Sequence, residues 1–374
     1  MKVLFLSRKN LLADRGGDTV QVLKTAEALR RRGIAVDLST ELEPDLRGYD
    51  LAHVFNLTRP QESLLQIWSA KQKGLPVALS TIFVDYTESD QKARRWIFAG
   101  AARLLGASRF EELKILGRAI RGQEFHRGVA KVLARGYDAS LRDACFMADV
   151  LLPNSFSEVA RLEKNLGSKM EAPVCVVPNA VDTGLFSEEK TVIPEVLQKY
   201  RGGILCVSRI EVRKNQINLV RAARSFSVPL LLAGDPAPNQ RKYYQRLRKE
   251  AGENVIFLGY KPPEELRVYY KLCKIHALVS WMETTGLSSL EAGAMGANLV
   301  ITDRGDTREY FGDNAFYCEP GSVDSIRTAL QQALSAKPSA DLQARIRKLY
   351  TWEKAAEETL KGYEVAFSRK GMRK

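Results

Sequence analysis

The chain reads as an α/β protein of two Rossmann-like, doubly wound domains facing each other across a cleft. Three observations predict this. Its 374 residues are enough for two domains with a core each. Short, wholly apolar runs alternate with stretches of helical period, the pattern of parallel sheets covered on both faces. The rhythm then starts afresh near residue 203, after a segment richer in Pro, Glu and Lys.

Taken in order, residues 3–7 read as a strand and 10–18 as a loop. Residues 19–32 form a helix with Val20, Leu23, Ala26, Ala28 and Leu29 at apolar positions, closed by Gly33. Further strands are expected at 35–39, 51–55, 77–83, 150–153 and 174–177. The second series is 203–208, 230–233, 255–258, 277–280 and 299–302. The domains are accordingly 1–182, completed by a C-terminal helix over 351–374, and 183–350, with the joint within 178–200.

Hydrophobic content of 45% and charged content of 27% are those of a soluble globular protein. The five cysteines are scattered without a C-x-x-C pair, which points to reduced, buried thiols in a cytoplasmic protein. Only three histidines are present and they are far apart, so no Cys/His metal site is expected. His53 and His276 fall in apolar strands and read as packed core residues. The first apolar run is too short for a signal peptide, and no apolar stretch approaches membrane-spanning length.

Net charge is +13 and unevenly spread. Residues 1–90 carry twelve basic and twelve acidic side chains, whereas 91–148 carry twelve and five. That second block also holds Trp96, Phe98, Phe110, Phe125 and Tyr137, and the last six residues add four cations. Cations among aromatics read either as a surface for peripheral docking on an anionic membrane or as a solvated face with core aromatics. Without a helix-turn-helix, finger or RNP-like motif, nucleic acid is not an expected partner.

Four segments carry the chemistry. Gly16-Gly17-Asp18 lies between the first strand and helix, where amides can approach a phosphate or sugar; it is neither a G-x-G-x-x-G fingerprint nor a Walker loop. Arg209 and Lys214 lie in the loop after the first strand of the second domain, a planar fork and a point charge for phosphate oxygens. Arg213 between them reads as a solvated side chain. Pro178-Asn179-Ala180-Val181-Asp182 marks the joint. Glu283 sits in a strand-to-helix turn and Glu291 a little over one helical turn inside the helix that follows. Gly286 between them allows close backbone approach and leaves the first helical amides open.

Arg209 with Lys214, then Glu283 and Glu291 around Gly286-Leu287, resembles glycosyltransferase family 4, retaining group 1 enzymes of GT-B fold. Val177 to Asp182 is similar to that family's Pro-Asn-Gly-Val-Asp segment with Ala180 in place of Gly. Leu232-Ala233-Gly234-Asp235, residues 255–259 and the ending Tyr350-Thr351-Trp352-Glu353-Lys354 also fit its pattern. The resemblance implies a retaining, metal-independent hexosyltransferase with no cofactor. It would move a sugar from a nucleotide-sugar donor to a saccharide or lipid-linked glycan, in cell-surface polysaccharide or lipopolysaccharide synthesis. Such an enzyme would be cytoplasmic, or peripheral on the inner face of the plasma membrane.

The same resemblance implies that Arg209 and Lys214 hold the donor's diphosphate and Glu291 the ribose. Glu283, with the amides of Gly286 and Leu287, would meet the transferred sugar, and the base would lie near Tyr260 and Lys261. Gly16 and Gly17 would complete the donor site. Many members carry a histidine in a Thr-Pro-His type segment after the strand matching 77–81. Here Ser80-Thr81-Ile82-Phe83-Val84-Asp85-Tyr86 has none, which leaves Asp85, Tyr86 and His126 as acceptor-side candidates. A nucleotide-sugar epimerase of the same fold and a non-catalytic basic binding protein are the alternatives.

Overall fold

The computed structural model describes residues 1–88, 106–122 and 125–372. Of the basic, aromatic segment noted in the sequence, Trp96, Phe98 and the rest of 89–105 lie outside the described residues, as do 373–374. Its contacts divide the chain into two compact units. The first holds Met1–Thr87, the stretch ending at Asn179, and the helix from Trp352; the second holds Ala180–Thr351 with Glu88. The joint thus falls between Asn179 and Ala180.

Unit 1 runs β1 (Lys2–Leu6), α1 (Gly17–Arg31), β2 (Ala35–Ser39), β3 (Leu51–Phe55), α2 (Pro60–Gln72), β4 (Val77–Ser80), α3 (Ala107–Gly122), α4 (Arg127–Arg135), α5 (Tyr137–Met147), β5 (Val150–Leu151) and α6 (Phe156–Leu166). Unit 2 follows with β6 (Ile204–Val207), α7 (Gln216–Ala223), β7 (Leu230–Ala233), α8 (Arg241–Glu250), β8 (Val255–Gly259), α9 (Pro263–Leu272) and β9 (Ile275–Leu278). It is completed by α10 (Leu287–Ala294), β10 (Asn298–Thr302), α11 (Thr307–Phe311), β11 (Phe316–Cys318), α12 (Val323–Ser335) and α13 (Ala340–Leu349). The last helix, α14 (Trp352–Met372), belongs to unit 1.

Both sheets are parallel throughout, ordered β2-β1-β3-β4-β5 and β11-β10-β9-β6-β7-β8. Each first strand therefore has later strands on both sides, and the order reverses between β1 and β3 and between β6 and β9. At such reversals the loops beyond the strands' carboxyl ends diverge and leave a crevice. The strands are buried because helices cover both faces; β1, β3 and β9 show almost no exposed side chain.

His53 and His276 are packed core residues as expected, 1% and 0% exposed. Burial lowers both to about 3, for His276 with a further push from the Lys214 cation, so both rings are neutral. His53 bonds Tyr363 Oη of α14 and Ser80 Oγ, each at 2.8 Å, which ties the last helix to the sheet. All five cysteines are free, four of them buried.

Three expectations need correction. Residues 174–177 form no strand, because only Val174 bridges Leu151. β4 stops at Ser80 rather than 83, since Ile82 takes φ +42°, outside any strand geometry. β11 was not foreseen: its three residues are too few to show a period.

Candidate functional site

In unit 2, Lys214 and Glu283 are 69 residues apart in sequence and in direct contact. Adjacency of β6 and β9 makes this possible, because it places the loop after one beside the loop after the other. Lys214 Nζ donates to Glu283 Oε1 at 2.5 Å, with the side chains 14% and 8% exposed. A pair this dry depends on held geometry, since both charges have given up most of their water.

Four bonds hold it. Asn215, in the left-handed region at φ +59°, donates its side-chain amide to Val279 O (3.1 Å) and Pro320 O (2.8 Å). The Trp281 amide donates to Arg213 O at 2.9 Å, a direct backbone link between the two loops. Lys214 itself closes a short 3-10 turn, its amide donating to Glu211 O. Underneath, the loop after β10 supports Glu283: the Asp306 amide donates to Thr284 O at 2.9 Å. A Cβ on Gly305 (φ +73°) would lie 1.4 Å from Glu283 O, so only glycine fits there.

Arg209 is half-buried on the same loop as Lys214. Its carbonyl accepts from Gln216 Nε2 at 2.9 Å, and Gly234 packs so tightly that a Cβ would sit 2.1 Å from Ser208 O. Glu211 records the field here: burial raises its carboxyl, yet Arg213, Lys214 and Arg209 outweigh this and hold it below the usual range. Arg213 is engaged with that carboxylate at 2.8 Å.

Glu291 has a different partner. It accepts from Tyr270 Oη of α9 at 2.8 Å, and burial pushes its carboxyl up to about 7. The two glutamates eight positions apart are thus one carboxylate held by a cation and one acid held by a phenol. Between them Gly286 takes φ +77°, and hydrogen bonding within α10 begins with the Ser289 and Leu290 amides donating to Gly286 O. No side chain caps α10 or α7. At the start of α7 the Ile217 amide donates to Tyr243 Oη at 3.1 Å, whereas the start of α10 is suited to an anion or a hydroxyl. Tyr260 is exposed, its amide donating to Asp235 Oδ1, and Lys261 pairs with Glu265 at 2.9 Å.

Gly16, Gly17, Asp85, Tyr86 and His126 belong to unit 1. The Gly16 amide donates to Thr19 Oγ1 at 3.1 Å and the Thr19 amide to Asp18 Oδ1 at 3.0 Å, so α1 meets its own side chains at its start. Asp18 in turn is clamped by Arg8, Nε at 2.6 Å and Nη2 at 3.0 Å. Asp85 is exposed and accepts from the Thr87 amide, and the Lys114 ammonium lies 5.4 Å from the Tyr86 ring centre. His126 caps α4, its Nδ1 accepting from the Gly128 amide at 3.2 Å.

Four residues escaped sequence reading: Asn215, Tyr270, Gly305 and Glu158. Fully buried, Glu158 accepts from the Asn154 and Phe83 amides and from Thr81 Oγ1, which fixes the backbone just ahead of Asp85 and Tyr86. Burial raises its carboxyl. Its signal was the Ser155-x-x-Glu158 box ahead of an apolar helix, with Ser155 Oγ accepting from the Glu158 amide.

Two Rossmann-like units of parallel sheet are the architecture of the GT-B fold. Residues 190–349 match the family "Glycosyl transferases group 1". Escherichia coli O-antigen chain mannosyltransferase B is 28% identical over 185 residues, 46% of this chain and 49% of that protein, so the match spans about half its length. Among solved structures, sucrose-phosphate synthase from Thermosynechococcus elongatus superposes with a TM-score of 0.73 at 17% identity, over 98% of this chain and 99% of that one. Anabaena HepE, solved in complex with UDP, gives 0.68 at 17% over 97% and 100%. At these identities the structural likeness is one of fold.

Proposed function

We propose that the chain transfers a hexose, with retention at the anomeric carbon, from a nucleoside diphosphate sugar to a saccharide or lipid-linked glycan acceptor. The observation that carries this is the Lys214–Glu283 pair, stapled across the β6/β9 reversal beside the uncapped start of α10. A diphosphate reaching Arg209 and Lys214 competes for the lysine and releases the Glu283 carboxylate toward the sugar. As the glycosidic bond breaks, the leaving diphosphate gains charge that two fixed cations and a helix N-terminus stabilise without a metal ion. The anomeric carbon turns cation-like, which a nearby carboxylate favours. Glu291 and its Tyr270 partner would take the ribose hydroxyls, and the base would lie along the backbone at Tyr260 and Lys261. In unit 1, Gly16 and Gly17 are further donor candidates, and Asp85, Tyr86 and His126 are the acceptor-side candidates.

The family match supports transfer chemistry, and the UDP bound to HepE supports a nucleotide donor. The O-antigen relative favours an acceptor in surface polysaccharide or lipopolysaccharide synthesis. A thermal-shift screen against UDP, GDP, ADP and their sugars identifies the base, because a ligand that binds only the folded state raises its midpoint. Transfer and donor hydrolysis are then measured in Arg209→Ala and Glu283→Ala. Unchanged rates in both would sink the assignment. Conversion of the donor without acceptor, the nucleotide remaining attached, would instead indicate an epimerase, and nucleotide binding without turnover a binding protein.

A further inference from the structure

Behind the loop that carries Arg209 and Lys214, a closed set of hydrogen bonds ends on a single peptide group. Gln216 opens α7 and is 1% exposed. A buried primary amide is costly unless both its ends find partners. Its Nε2 donates to Ser208 Oγ at 3.0 Å and to Arg209 O at 2.9 Å, which uses both protons. Its Oε1 accepts from Tyr243 Oη of α8 at 3.3 Å. Tyr243 is within reach because β7 lies beside β6, which brings the helix after one strand against the helix after the other.

The hydroxyl of Tyr243 gives that amide one orientation. Its oxygen accepts from the Ile217 amide, so its own proton goes to Gln216 Oε1. Burial raises the phenol above its usual range, and it keeps that proton at neutral pH. Turned the other way, Gln216 would set its oxygen against the Arg209 carbonyl, two acceptors with no proton between them. On the far side of the same peptide group, the Ile210 amide donates to Asp235 O at 2.9 Å. The plane between Arg209 and Ile210 is thus fixed at both its polar ends, by a side chain of α7 and by the loop after β7.

We propose that Gln216, oriented by Tyr243, is a positioning residue for Arg209: it locks the peptide plane behind the guanidinium, so that the fork meets the donor's diphosphate already in place. The inference rests on the reading of Arg209 and Lys214 as the diphosphate's cations. A planar guanidinium grips phosphate oxygens well only from the right direction, and any backbone freedom behind it must be given up on binding. Lys214 takes its placement from Glu283 and from the turn closed on Glu211. Gln216 and Tyr243 do the equivalent for the second cation.

A double-mutant cycle on nucleotide affinity tests this. UDP, GDP and ADP are titrated in turn into the full chain by calorimetry, and the tightest of them is carried through the variants. Tyr243→Phe keeps the ring and removes one oxygen; Gln216→Leu keeps the volume and removes the amide. Each should weaken binding about fivefold, and Arg209→Ala roughly thirtyfold. Combined with Arg209→Ala, neither should weaken it further by more than about twofold, because a residue that acts through Arg209 then has nothing left to act on. A role in packing alone would give losses that multiply, or a lower melting midpoint with affinity unchanged, and either would overturn the proposal. So would full affinity in both single variants. Failure of the diphosphate reading looks different: none of the three nucleotides binds, or Arg209→Ala binds as wild type does.

Discussion

The two strand reversals of this molecule are built alike and finished differently. In unit 1 the ion pair at the reversal, Arg8 with Asp18, spans ten residues of one strand-to-helix connection. It also consumes the start of the helix, since Asp18 accepts from the Thr19 amide and Thr19 from the Gly16 amide. In unit 2 the pair joins two loops, Lys214 from one and Glu283 from the other, and the helices behind them start without a side-chain cap. The first arrangement satisfies itself. The second holds a cation and a carboxylate in place across two loops, with α10 starting behind them without a side-chain cap.

The strongest way to break this comparison is to remove one partner from each pair. Lys214→Ala should lower transfer by about 10²–10³-fold, the usual cost of one fixed electrostatic contact to developing charge. It should also cost about 3–5 kcal/mol of stability in urea unfolding, because Glu283 is left buried and unpaired. Arg8→Ala should destabilise too, through Asp18, while donor hydrolysis stays within about threefold of wild type. Equal catalytic losses in the two variants would erase the distinction between the reversals.

Glycine packing gives the next contrast. Gly305→Ala puts a Cβ 1.4 Å from Glu283 O at φ +73°, so a loss of about 3 kcal/mol or more is expected, along with weakened nucleotide binding. At Gly16, φ is −140° and the nearest atom is the Asp18 Oδ1 at 3.0 Å, a side-chain rather than backbone contact, so alanine there should cost less than at Gly305, about 1–2 kcal/mol.

Titration sharpens the reading of Glu291. Burial raises its carboxyl from 4.5 to about 7, so the folded state holds the proton more tightly than the unfolded one. The stability this contributes is fully present below pH about 4.5 and is lost as pH rises through about 7. Unfolding midpoints of Glu291→Gln, compared with wild type across that window, should lack this part of the decline. Parallel curves would show that Glu291 carries no such shift. The smallest effect is expected at Asp85→Ala, which removes an exposed turn bond to the Thr87 amide worth about 0.5 kcal/mol. Should Asp85 serve the acceptor, that variant would raise the acceptor KM and leave donor hydrolysis unchanged.

Much of this was legible in the chain because it is local. The strand at 230–233, the turn holding Glu283, the Gly286 break and the helix carrying Glu291 each follow from apolar runs and turn residues a few positions apart. Two buried histidines were legible for the same reason, lying within apolar strands. The run at 174–177 misled, because an apolar segment looks the same whether it joins a ladder or makes a single bridge.

By itself, then, the sequence determined two α/β units and which charged residues stand in loops after strands. Only the tertiary structure decided the partners: that Lys214 takes Glu283, that Tyr270 takes Glu291, and that Gly305 and Asn215 hold the loops in register. Strand order is the reason. β9 lies beside β6 although β7 and β8 intervene in sequence, and no local periodicity encodes which strands become neighbours.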